Sequence, residues 1–503
     1  MPCFYLIHIA AMRFLLPLLL VFSCLLTVLP GCEPKEDLLT TDPGAKLEFS
    51  TDTVLFDTVF TQVGTVTKRL WVYNRNSRAV KVEQISVANP AVSEYSIIVN
   101  GDGGPLANNV EIRGKDSLLV LVRAKLGPGA QAEGKPFLIA DQLRFKTNGN
   151  DQQVELVAYG QNAFFHRGVL ACNEVWTKAK PHVLPGSVLV PAGCVLTIEA
   201  GARVYAHAGA AIVVKGTLRV NPDYAPRGEI KPTDPNIVRF SGDRLEAFYN
   251  EIPGQWAGIQ FDSVSSRNNV VRYAEIKNSS FGLLTYNPGN RQPRPRVTVE
   301  NTILRNISGS RLSFASAQAF EGAGVLSIAG EYTLTNCLFT NCGEYAIFGL
   351  SGGTFNLNFC TIANFTPQFR RETESLTFSN EPVAKWTQLP IVTRISIRNS
   401  IIWGSVPEEL LFQNGNEYAD LTIQNSVLRT QRYKTSFPGN LINTDPKFKR
   451  PAGQFADRFD YNLDTLSAAS NTARPFGEVA TDLLGRPRDL NTPDPGAYER
   501  KNR

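Results

Sequence analysis

Six stretches of this chain repeat one pattern, and the repeat constrains the fold more than any other feature. Each stretch alternates apolar and polar residues, is followed by a small residue, and has an aliphatic or aromatic residue two places later. The stretches are residues 297–301, 332–336, 355–359, 395–399 and 421–425, with 269–273 as a looser match. Self-similarity at intervals of about 20 to 50 residues is typical of a solenoid. Because the alternation has a period of two, the repeating unit is predicted to be a strand.

One coil of such a solenoid is too short to bury its own apolar side chains, so each coil must stack on the next, with strands about 4.8 Å apart. Equivalent side chains then form ladders through the core. Asn suits the corner between strand and turn, because its backbone tolerates left-handed conformations and its amide can form hydrogen bonds between coils. We therefore predict that four asparagines are structural and not ligands: Asn301, Asn336, Asn399 and Asn425.

Once the N-terminal leader and Cys32 are set aside, the cysteines are odd in number and scattered, which argues against a disulfide framework. They are Cys172, Cys194, Cys337, Cys342 and Cys360. Cys337 and Cys360 occupy equivalent positions of the repeat, so we predict that they stack as small buried thiols, with a disulfide as the rival. Cys172 and Cys194 are also about one coil apart, and for them both states remain equally open.

The N-terminus has the layout of a targeting segment. Arg13 precedes an apolar run over residues 14–29, shorter than the about 20 residues of a membrane span. Residues 1–31 are therefore predicted to be a secretory signal peptide. The Leu-Pro-Gly before Cys32 resembles a bacterial lipobox, in which the cysteine is acylated, while an ordinary signal with an incidental cysteine is the alternative. The resemblance implies that acylated Cys32 anchors the chain in outer-membrane lipid.

Residues 32–45 are predicted to be a tether. Within it, Lys35-Glu36-Asp37 resembles the export signal of Bacteroidetes surface lipoproteins, with a plain solvated tether as the alternative. The resemblance implies an outer-membrane lipoprotein exposed at the cell surface, and the periplasmic face stays open. The net charge is +5 without basic blocks, so nothing resembles a nucleic-acid-binding footprint.

Residues 46–160 contain several short alternating stretches separated by turn clusters such as 100–104 and 148–150. This spacing predicts an immunoglobulin-like β-sandwich. The runs at 114–117 and 158–160 resemble bacterial relatives of the ASH and major-sperm-protein domains. That resemblance implies a spacer or a protein-contact domain.

From residue 165 the chain changes character. Residues 188–205, with 212–220, 253–261 and the Asn-ending stretches, closely resemble the right-handed parallel β-helix superfamily, often called pectate-lyase-like. The resemblance implies an all-β chain, in which the sandwich precedes a right-handed parallel β-helix solenoid over 165–440. The tail, 441–503, is predicted to cap the solenoid, because an uncovered end exposes strand edges and apolar core.

The outward positions of the repeats argue against catalysis. A lyase on this scaffold would need several acidic residues to bind calcium, and a glycosidase would need two carboxylates. The outward positions are mostly neutral, with Glu300 as the acid and Arg398 as the base. No metal or cofactor is therefore expected, and calcium enters only if the chain is a lyase. His166, His182 and His207 lack metal-ligand spacing and are predicted to be structural.

Long insertions on a rigid solenoid are where binding residues tend to lie. The insertion over 366–394 combines basic and aromatic side chains, which would suit an anionic glycan, and a further Trp directly follows a strand. The candidate glycan-binding residues are Arg370, Arg371, Lys385, Trp386 and Trp403. For any single one of them, a solvated loop residue is the alternative.

Three functions follow from these features. The favoured one is a non-catalytic surface module that binds a glycan or another surface polymer. The first alternative is a divergent polysaccharide lyase or glycoside hydrolase, for which folding would have to bring carboxylates together from unrelated segments. The second alternative is a structural or protein-docking scaffold.

Overall fold

The computed structural model describes residues 38–61, 64–65, 67–127, 136–313, 319–367, 370–451, 459–477 and 479–500. The predicted signal peptide and Cys32 lie outside the described residues. The chain divides into two compact units. The first comprises Met1–Phe56, Gly64–Lys125 and Ala140–Val157, and the second comprises Asp57–Val63, Leu126–Ile139 and Ala158–Arg503. Within the described ranges, no helix has the length and apolar character needed to cross a membrane.

The first unit is an antiparallel β-sandwich. Its strands are β1 (Glu48–Phe49), β2 (Thr53–Phe60), β3 (Lys68–Tyr73), β4 (Val80–Val87), β5 (Tyr95–Val99), β6 (Asp102–Gly104), β7 (Leu106–Ile112), β8 (Ser117–Ala124), β9 (Phe137–Thr147) and β10 (Asn150–Gln161). They form two five-stranded sheets, ordered β1-β3-β8-β5-β6 and β2-β10-β9-β4-β7. One end of each of β2, β9 and β10 extends beyond the bounds of the unit. Rings from the two sheets meet, with centroids 4.8 Å apart for Phe49 and Phe145 and 5.9 Å apart for Phe56 and Tyr95. The sheets therefore pack face to face.

The second unit is built from short strands joined by turns. The strands in its first half are β11 (Phe164–Phe165), β12 (Gly168–Val169), β13 (Val175–Trp176), β14 (His182–Leu184), β15 (Val188–Val190), β16 (Val195–Ile198), β17 (Arg203–Ala206), β18 (Ala211–Val214), β19 (Thr217–Val220), β20 (Val238–Gly242), β21 (Gly258–Asp262), β22 (Asn269–Arg272), β23 (Ala274–Lys277), β24 (Leu283–Tyr286), β25 (Arg296–Glu300) and β26 (Ile303–Ile307). A 3₁₀ turn spans Ala247–Glu251.

The second half continues in the same way. Its strands are β27 (Arg311–Ser313), β28 (Ala319–Glu321), β29 (Ala323–Thr335), β30 (Leu338–Cys342), β31 (Tyr345–Asn358), β32 (Thr361–Asn364), β33 (Leu376–Ser379), β34 (Thr393–Arg398), β35 (Ile401–Gly404), β36 (Leu410–Gln413), β37 (Asp420–Gln424), β38 (Val427–Leu428), β39 (Leu441–Ile442), β40 (Phe448–Arg450) and β41 (Asp460–Leu463). A second 3₁₀ turn spans Gly415–Glu417.

Two large sheets dominate this unit. One has eleven strands, ordered β11-β14-β17-β20-β23-β26-β30-β32-β35-β38-β39. The other sheet has sixteen strands and begins as two separate rows of paired strands, one ending at β24 and the other at β25. The long strand β29 pairs with both β24 and β25 and so joins the two rows. Strand β31 pairs with β29 and continues the sheet. The pairing is parallel, and each strand lies beside its equivalent in the next repeat.

The repeat predicted from sequence corresponds to a buried column. The residue two places beyond the small residue of each repeat aligns with its equivalent across the eleven-stranded sheet. The column consists of the fully buried side chains of Ile276, Leu304, Phe339, Ile362, Ile402 and Leu428. Apolar ladders through the core are therefore confirmed.

The predicted Asn corners have the predicted backbone. Asn301, Asn336, Asn399 and Asn425 have φ angles of 47°, 53°, 51° and 50°, in the left-handed region that Asn tolerates better than most residues. Phe359 takes the same conformation at its repeat, with φ of 50°. The corner therefore has one backbone geometry, which Asn adopts with less strain than most residues other than Gly.

The small residues that follow the corner stack inside the core. Cys337 and Cys360 are buried free thiols. They directly precede β30 and β32, which are paired in register from Leu338 and Thr361 onward, so the two thiols are neighbours and not bonded, as predicted. Burial raises the pKa of Cys337 well above its ordinary value. Cys172 and Cys194, for which both states were open, form a disulfide.

The tail does not lie where a terminal cap would. Tyr461, Leu483 and Tyr498 pack against outward side chains of the eleven-stranded sheet, including Leu338 and Ile401. These outward positions are apolar, whereas simple alternation predicts polar residues there. The burial of this apolar surface stabilises the packing of the tail against the sheet. The prediction that 441–503 caps the end is therefore wrong for most of the described tail, which covers a side of the sheet.

Other residues cover the end of the core. Tyr433 and Phe437 lie between β38 and β39, and their ring centroids are 5.3 and 6.0 Å from that of Phe412. Both are partly buried against the main core. The loop before the tail thus meets the physical need for capping.

The amides of the predicted Asn corner also differ from expectation. We call Asn301, Asn336, Asn399 and Asn425 the first asparagine row. In three of them Nδ2 donates to a carbonyl of the tail at 2.8 Å: Asn301 to Asp482, Asn336 to Thr481 and Asn399 to Arg474. The prediction of amide bonds between coils is wrong here, because the tail supplies the acceptors.

A second row does link coil to coil. Asn278, Asn306 and Asn341 follow the core residues of β23, β26 and β30, with φ angles of 62°, 55° and 52°. Asn341 Nδ2 donates to Asn306 Oδ1 at 2.7 Å, and Asn306 Nδ2 donates to Asn278 Oδ1 at 3.2 Å. We call these residues the second asparagine row. The sequence signal was an Asn two residues after the buried core residue of each of these strands.

Candidate functional site

Arg371, one of the predicted glycan-binding residues, is inside the protein. Its side chain and that of Glu409 are fully buried, and Nη2 lies 2.7 Å from Glu409 Oε1. Ser375 Oγ donates to the same carboxylate at 2.6 Å. Burial raises the pKa of Glu409. Arg371 therefore ties two segments together and cannot contact a ligand at the surface, which corrects the prediction.

The prediction that Trp403 binds a glycan is also corrected. This residue is only 9 % exposed and belongs to the cluster that packs against the tail. The guanidinium of Arg429 lies 5.2 Å from its ring centroid. Its position next to a strand end reflects packing, not binding.

The other three predicted residues are exposed, but they do not form one group along the chain. Arg370 precedes β33, and its Nε lies 3.3 Å from Glu372 Oε1 with both side chains solvated. Lys385 and Trp386 come after β33 and before β34. The predicted basic and aromatic cluster is thus divided between the two ends of a strand.

Trp386 lies on a loop whose backbone is firmly held. Gln388 N–H donates to the Gly289 carbonyl at 2.9 Å, and Thr387 Oγ1 donates to the Pro288 carbonyl at 2.9 Å. Asn290 Nδ2 donates back to the Gln388 carbonyl at 2.8 Å. The indole nevertheless is 61 % exposed. A large apolar ring is therefore presented to solvent with little backbone freedom to lose on binding.

The indole ring packs against Gly289. A Cβ atom at Gly289 would lie 3.5 Å from Cδ1 of Trp386, so the indole rests directly on the backbone three residues after the end of β24. Leu389, on the same loop, is 76 % exposed. The loop thus adds two apolar side chains beside that strand.

The neighbouring outward surface of the sixteen-stranded sheet is aromatic. Tyr286, Phe320, Tyr345 and Phe348 are partly buried there, over the apolar side chains of β24 and β29. The rings of Tyr345 and Phe348 stack with centroids 4.3 Å apart and an interplanar angle of 22°. We call these four residues the aromatic face. Phe320 reaches it from the antiparallel hairpin of β27 and β28.

The loop and the aromatic face are continuous. Val383, three residues before Trp386, is buried against Ile328 and Leu350 and contacts the same cluster as Tyr286 and Phe348. The inward neighbours in these strands belong to the main core. Strands β29 and β31 thus carry apolar side chains on both faces. Their continuous apolar sequence was the signal for the aromatic face, and sequence-based prediction missed it.

Three carboxylates surround one end of the aromatic face. Burial, together with the charges of Glu321, Glu344 and Glu374, raises the pKa of Tyr345 to about 12. They come from three segments: the end of β28, the turn before β31, and the insertion before β33. Thr373 Oγ1 donates to Glu344 Oε2 at 3.1 Å. Folding therefore collects acids around Tyr345 that are unrelated in sequence.

This collection is not a metal centre. In the described part of the chain, no three His, Cys, Asp or Glu side chains are placed to hold one ion. His166 and His182 instead share a hydrogen bond of 2.9 Å between Nε2 and Nδ1. The remaining ring nitrogens bond to Glu174 and to the Thr177 carbonyl. All four nitrogens are thus used within the fold.

Comparison with known proteins adds little. No family model matches the sequence, and no curated protein matches it. A solved structure of a protein of unknown function from Porphyromonas gingivalis W83 is similar over 22 % of this chain, with 10 % identity and a TM-score of 0.17. The chain spans 46 % of that structure's length.

Two further structures have the same low similarity. The ASH/PapD-like domain 7 of human CEP192 is 11 % identical over 24 % of this chain and 91 % of its own, with a TM-score of 0.17. A family 123 glycoside hydrolase from Clostridium perfringens is 11 % identical over 23 % of this chain and 25 % of its own, with a TM-score of 0.16. Scores this low support no inference about function.

Proposed function

We propose that the second unit is a right-handed parallel β-helix that binds a glycan on its outward aromatic face. The in-register stacking of parallel strands and the ladders of equivalent side chains support the solenoid. The observation that carries the binding function is the exposed Trp386 on a hydrogen-bonded loop. Through Val383, this loop is continuous with the cluster that includes Phe348, whose ring stacks on that of Tyr345. Sugar rings have apolar faces, and rigid aromatic side chains bury them at a small entropic cost.

The charges favour an uncharged glycan over the anionic one expected from sequence. Arg371 is neutralised in the interior by Glu409, and Arg370 is next to Glu372. The charges of Glu321, Glu344 and Glu374 instead act on Tyr345. Among these three, only Glu374 has an arginine partner in the described part of the chain, Arg432 at 3.6 Å. A negatively charged ligand would be repelled at this end of the face, whereas hydroxyl groups would donate hydrogen bonds to carboxylates.

A glycan array tests the proposal, using the soluble chain from residue 38 onward. We expect binding to uncharged glycans, with the signal lost in Trp386→Ala and in Phe348→Ala. Phe248→Ala is the matched control, because Phe248 is an aromatic residue that is 74 % exposed on another part of the unit. Equal loss in the control, or no binding by the wild-type chain, would contradict the proposal. The protein-docking alternative would then be favoured.

A second function has one observation in its favour. The first alternative required carboxylates gathered from unrelated segments, and Glu321, Glu344 and Glu374 meet that requirement beside the aromatic face. Two such groups, one protonated and one ionised, are what glycoside hydrolysis needs. If any array glycan is cleaved, replacement by Gln should lower the rate by at least about a hundredfold at two of these three residues, the pair that acts in hydrolysis. Binding without product would leave the chain as a binding module.

We further propose that the chain is an outer-membrane lipoprotein, anchored through acylated Cys32, and that the sandwich is a spacer. The support is the sequence around Cys32 alone. Radiolabelled palmitate should enter the wild-type chain and not Cys32→Ala. Protease treatment of intact cells would then distinguish a surface location from a periplasmic one.

A further inference from the structure

A cavity of about 670 Å³ lies in the second unit between the 227–229 segment and the described end of the tail. The two segments are joined beside it, since Ile230 N–H donates to the Leu484 carbonyl at 2.7 Å. Its walls carry four arginines and three carboxylates: Arg227, Arg486, Arg488, Arg500, Glu229, Asp489 and Glu499. The volume falls within the range of small-ligand sites.

The two acidic residues of the tail are already occupied. Both oxygens of Glu499 accept backbone N–H groups, those of Asp489 at 3.2 Å and Asp494 at 3.0 Å, and Arg488 Nη1 adds a bond of 3.3 Å. Asp489 Oδ1 accepts the N–H groups of Asn491 and Thr492 at 2.9 and 2.8 Å. These carboxylates therefore stabilise the tail itself.

Three of the arginines, in contrast, retain unused donors. The side chain of Arg488 is 2 % exposed, and its Nε has no hydrogen-bond partner. The buried Nε of Arg500 has none either, and its Nη1 makes only a long contact of 3.4 Å with the Thr465 carbonyl. Arg227 is exposed and donates to no residue in the described part of the chain. Both Nε atoms are shielded from solvent, so the donors available at the cavity wall are the guanidinium of Arg227 and the Nη groups of Arg500.

We propose that this cavity binds an oxyanion, a carboxylate or sulfate group, held by Arg227 and Arg500 and positioned by Arg488. A planar guanidinium pairs two N–H groups with two oxygens of such an anion, which a single ammonium group cannot match. The site is separate from the aromatic face, whose carboxylates disfavour anions. Free inorganic sulfate and the carboxylate of an acidic sugar share this chemistry.

Isothermal titration calorimetry of the full chain in a zwitterionic detergent tests this site, with sodium sulfate and sodium glucuronate as probes at constant ionic strength. We expect one saturable site, with affinity reduced about tenfold or more in Arg227→Ala and in Arg500→Ala. Arg370→Ala is the matched control, because it removes an equally charged, solvated side chain far along the sequence, and it should bind as the wild type does.

The two probes separate the sources of the anion. Equal affinity for both would indicate recognition of the oxyanion alone, and tighter glucuronate binding would indicate an acidic sugar. Arg227 makes no described contact within the fold, so Arg227→Ala should unfold at the wild-type temperature, and a loss of binding in it cannot be ascribed to misfolding. No saturable heat with either probe, or wild-type affinity in both arginine variants, would overturn the proposal.

Discussion

The two asparagine rows have the same residue and the same left-handed backbone, yet their side chains are used differently. In the second row, Asn341 donates to Asn306 and Asn306 donates to Asn278, so the amides join neighbouring coils. In the first row, Asn301, Asn336 and Asn399 donate to the tail. The corner thus fixes the backbone, while the partner of the amide depends on what covers that side of the sheet.

We expect the largest loss of stability from the substitution that removes Arg488, the tail residue that binds the first asparagine row most strongly. Arg488 Nη2 donates to Asn336 Oδ1 at 2.8 Å, and the buried guanidinium also contacts Glu499. Arg488→Ala leaves that carboxylate buried without its partner, so we expect a loss of about 3 to 5 kcal/mol in the free energy of unfolding. Urea denaturation measures it. Arg474→Ala is the control, because the first row contacts only the backbone of Arg474, and a similar loss there would refute a specific role for Arg488.

The next largest loss of stability is expected from substitutions of Asn306, the middle residue of the second asparagine row. Asn306 is 1 % exposed and bonds to Asn278, Asn341 and Glu251. Asn306→Ala should lower the free energy of unfolding by about 3 kcal/mol, because it leaves buried amide groups unpaired and adds backbone strain. Asn306→Gly keeps the backbone relaxed and should lower it by about 2 kcal/mol. If both variants unfold as the wild type does, the ladder contributes nothing.

A smaller effect is expected in the first row. Asn399 Nδ2 donates to the Arg474 carbonyl at 2.8 Å, and its Oδ1 accepts the Arg474 N–H at 3.0 Å. Because Arg474 is exposed and water can replace part of these bonds, Asn399→Ala should cost about 2 kcal/mol in thermal or urea unfolding. Limited proteolysis should at the same time cut the tail faster. Unchanged cleavage would contradict the claim that this amide holds the tail.

The smallest effect is expected at Asn425, where no side-chain hydrogen bond is found among the described residues. Its φ angle is 50°, so only the backbone distinguishes it from Ala. Asn425→Ala should cost about 1 kcal/mol in the free energy of unfolding, and Asn425→Gly should cost almost nothing. A cost equal to that of Asn399→Ala would show that the tail is irrelevant to the first row.

The sequence was sufficient for whatever depends on the repeat alone. The buried column that contains Leu304 and Ile362, the left-handed corner at Asn301, and the thiol stack of Cys337 with Cys360 all follow from period and residue size. These features need only a neighbouring coil of the same kind. A repeated pattern supplies that neighbour.

The sequence was insufficient where the partner lies outside the repeat. Arg371 resembled a surface cation because nothing in its own loop indicates that Glu409, from another coil, neutralises it. Asn336 resembled a coil-to-coil residue because its acceptor at Thr481 lies far along the chain. The aromatic face was missed for the same reason, although the apolar run around Phe348 gave a signal. Trp386 was found, but its rigid support from the 287–294 loop was not.

Hydrogen–deuterium exchange with an uncharged oligosaccharide that the array identifies is the most direct test of the proposed aromatic site. If the aromatic face binds it, protection should be confined to residues 283–286, 319–350 and 380–390. The segments at 221–236 and 485–500 should exchange at the unliganded rate. Protection at those distant segments, or no protection at saturating ligand, would contradict the account.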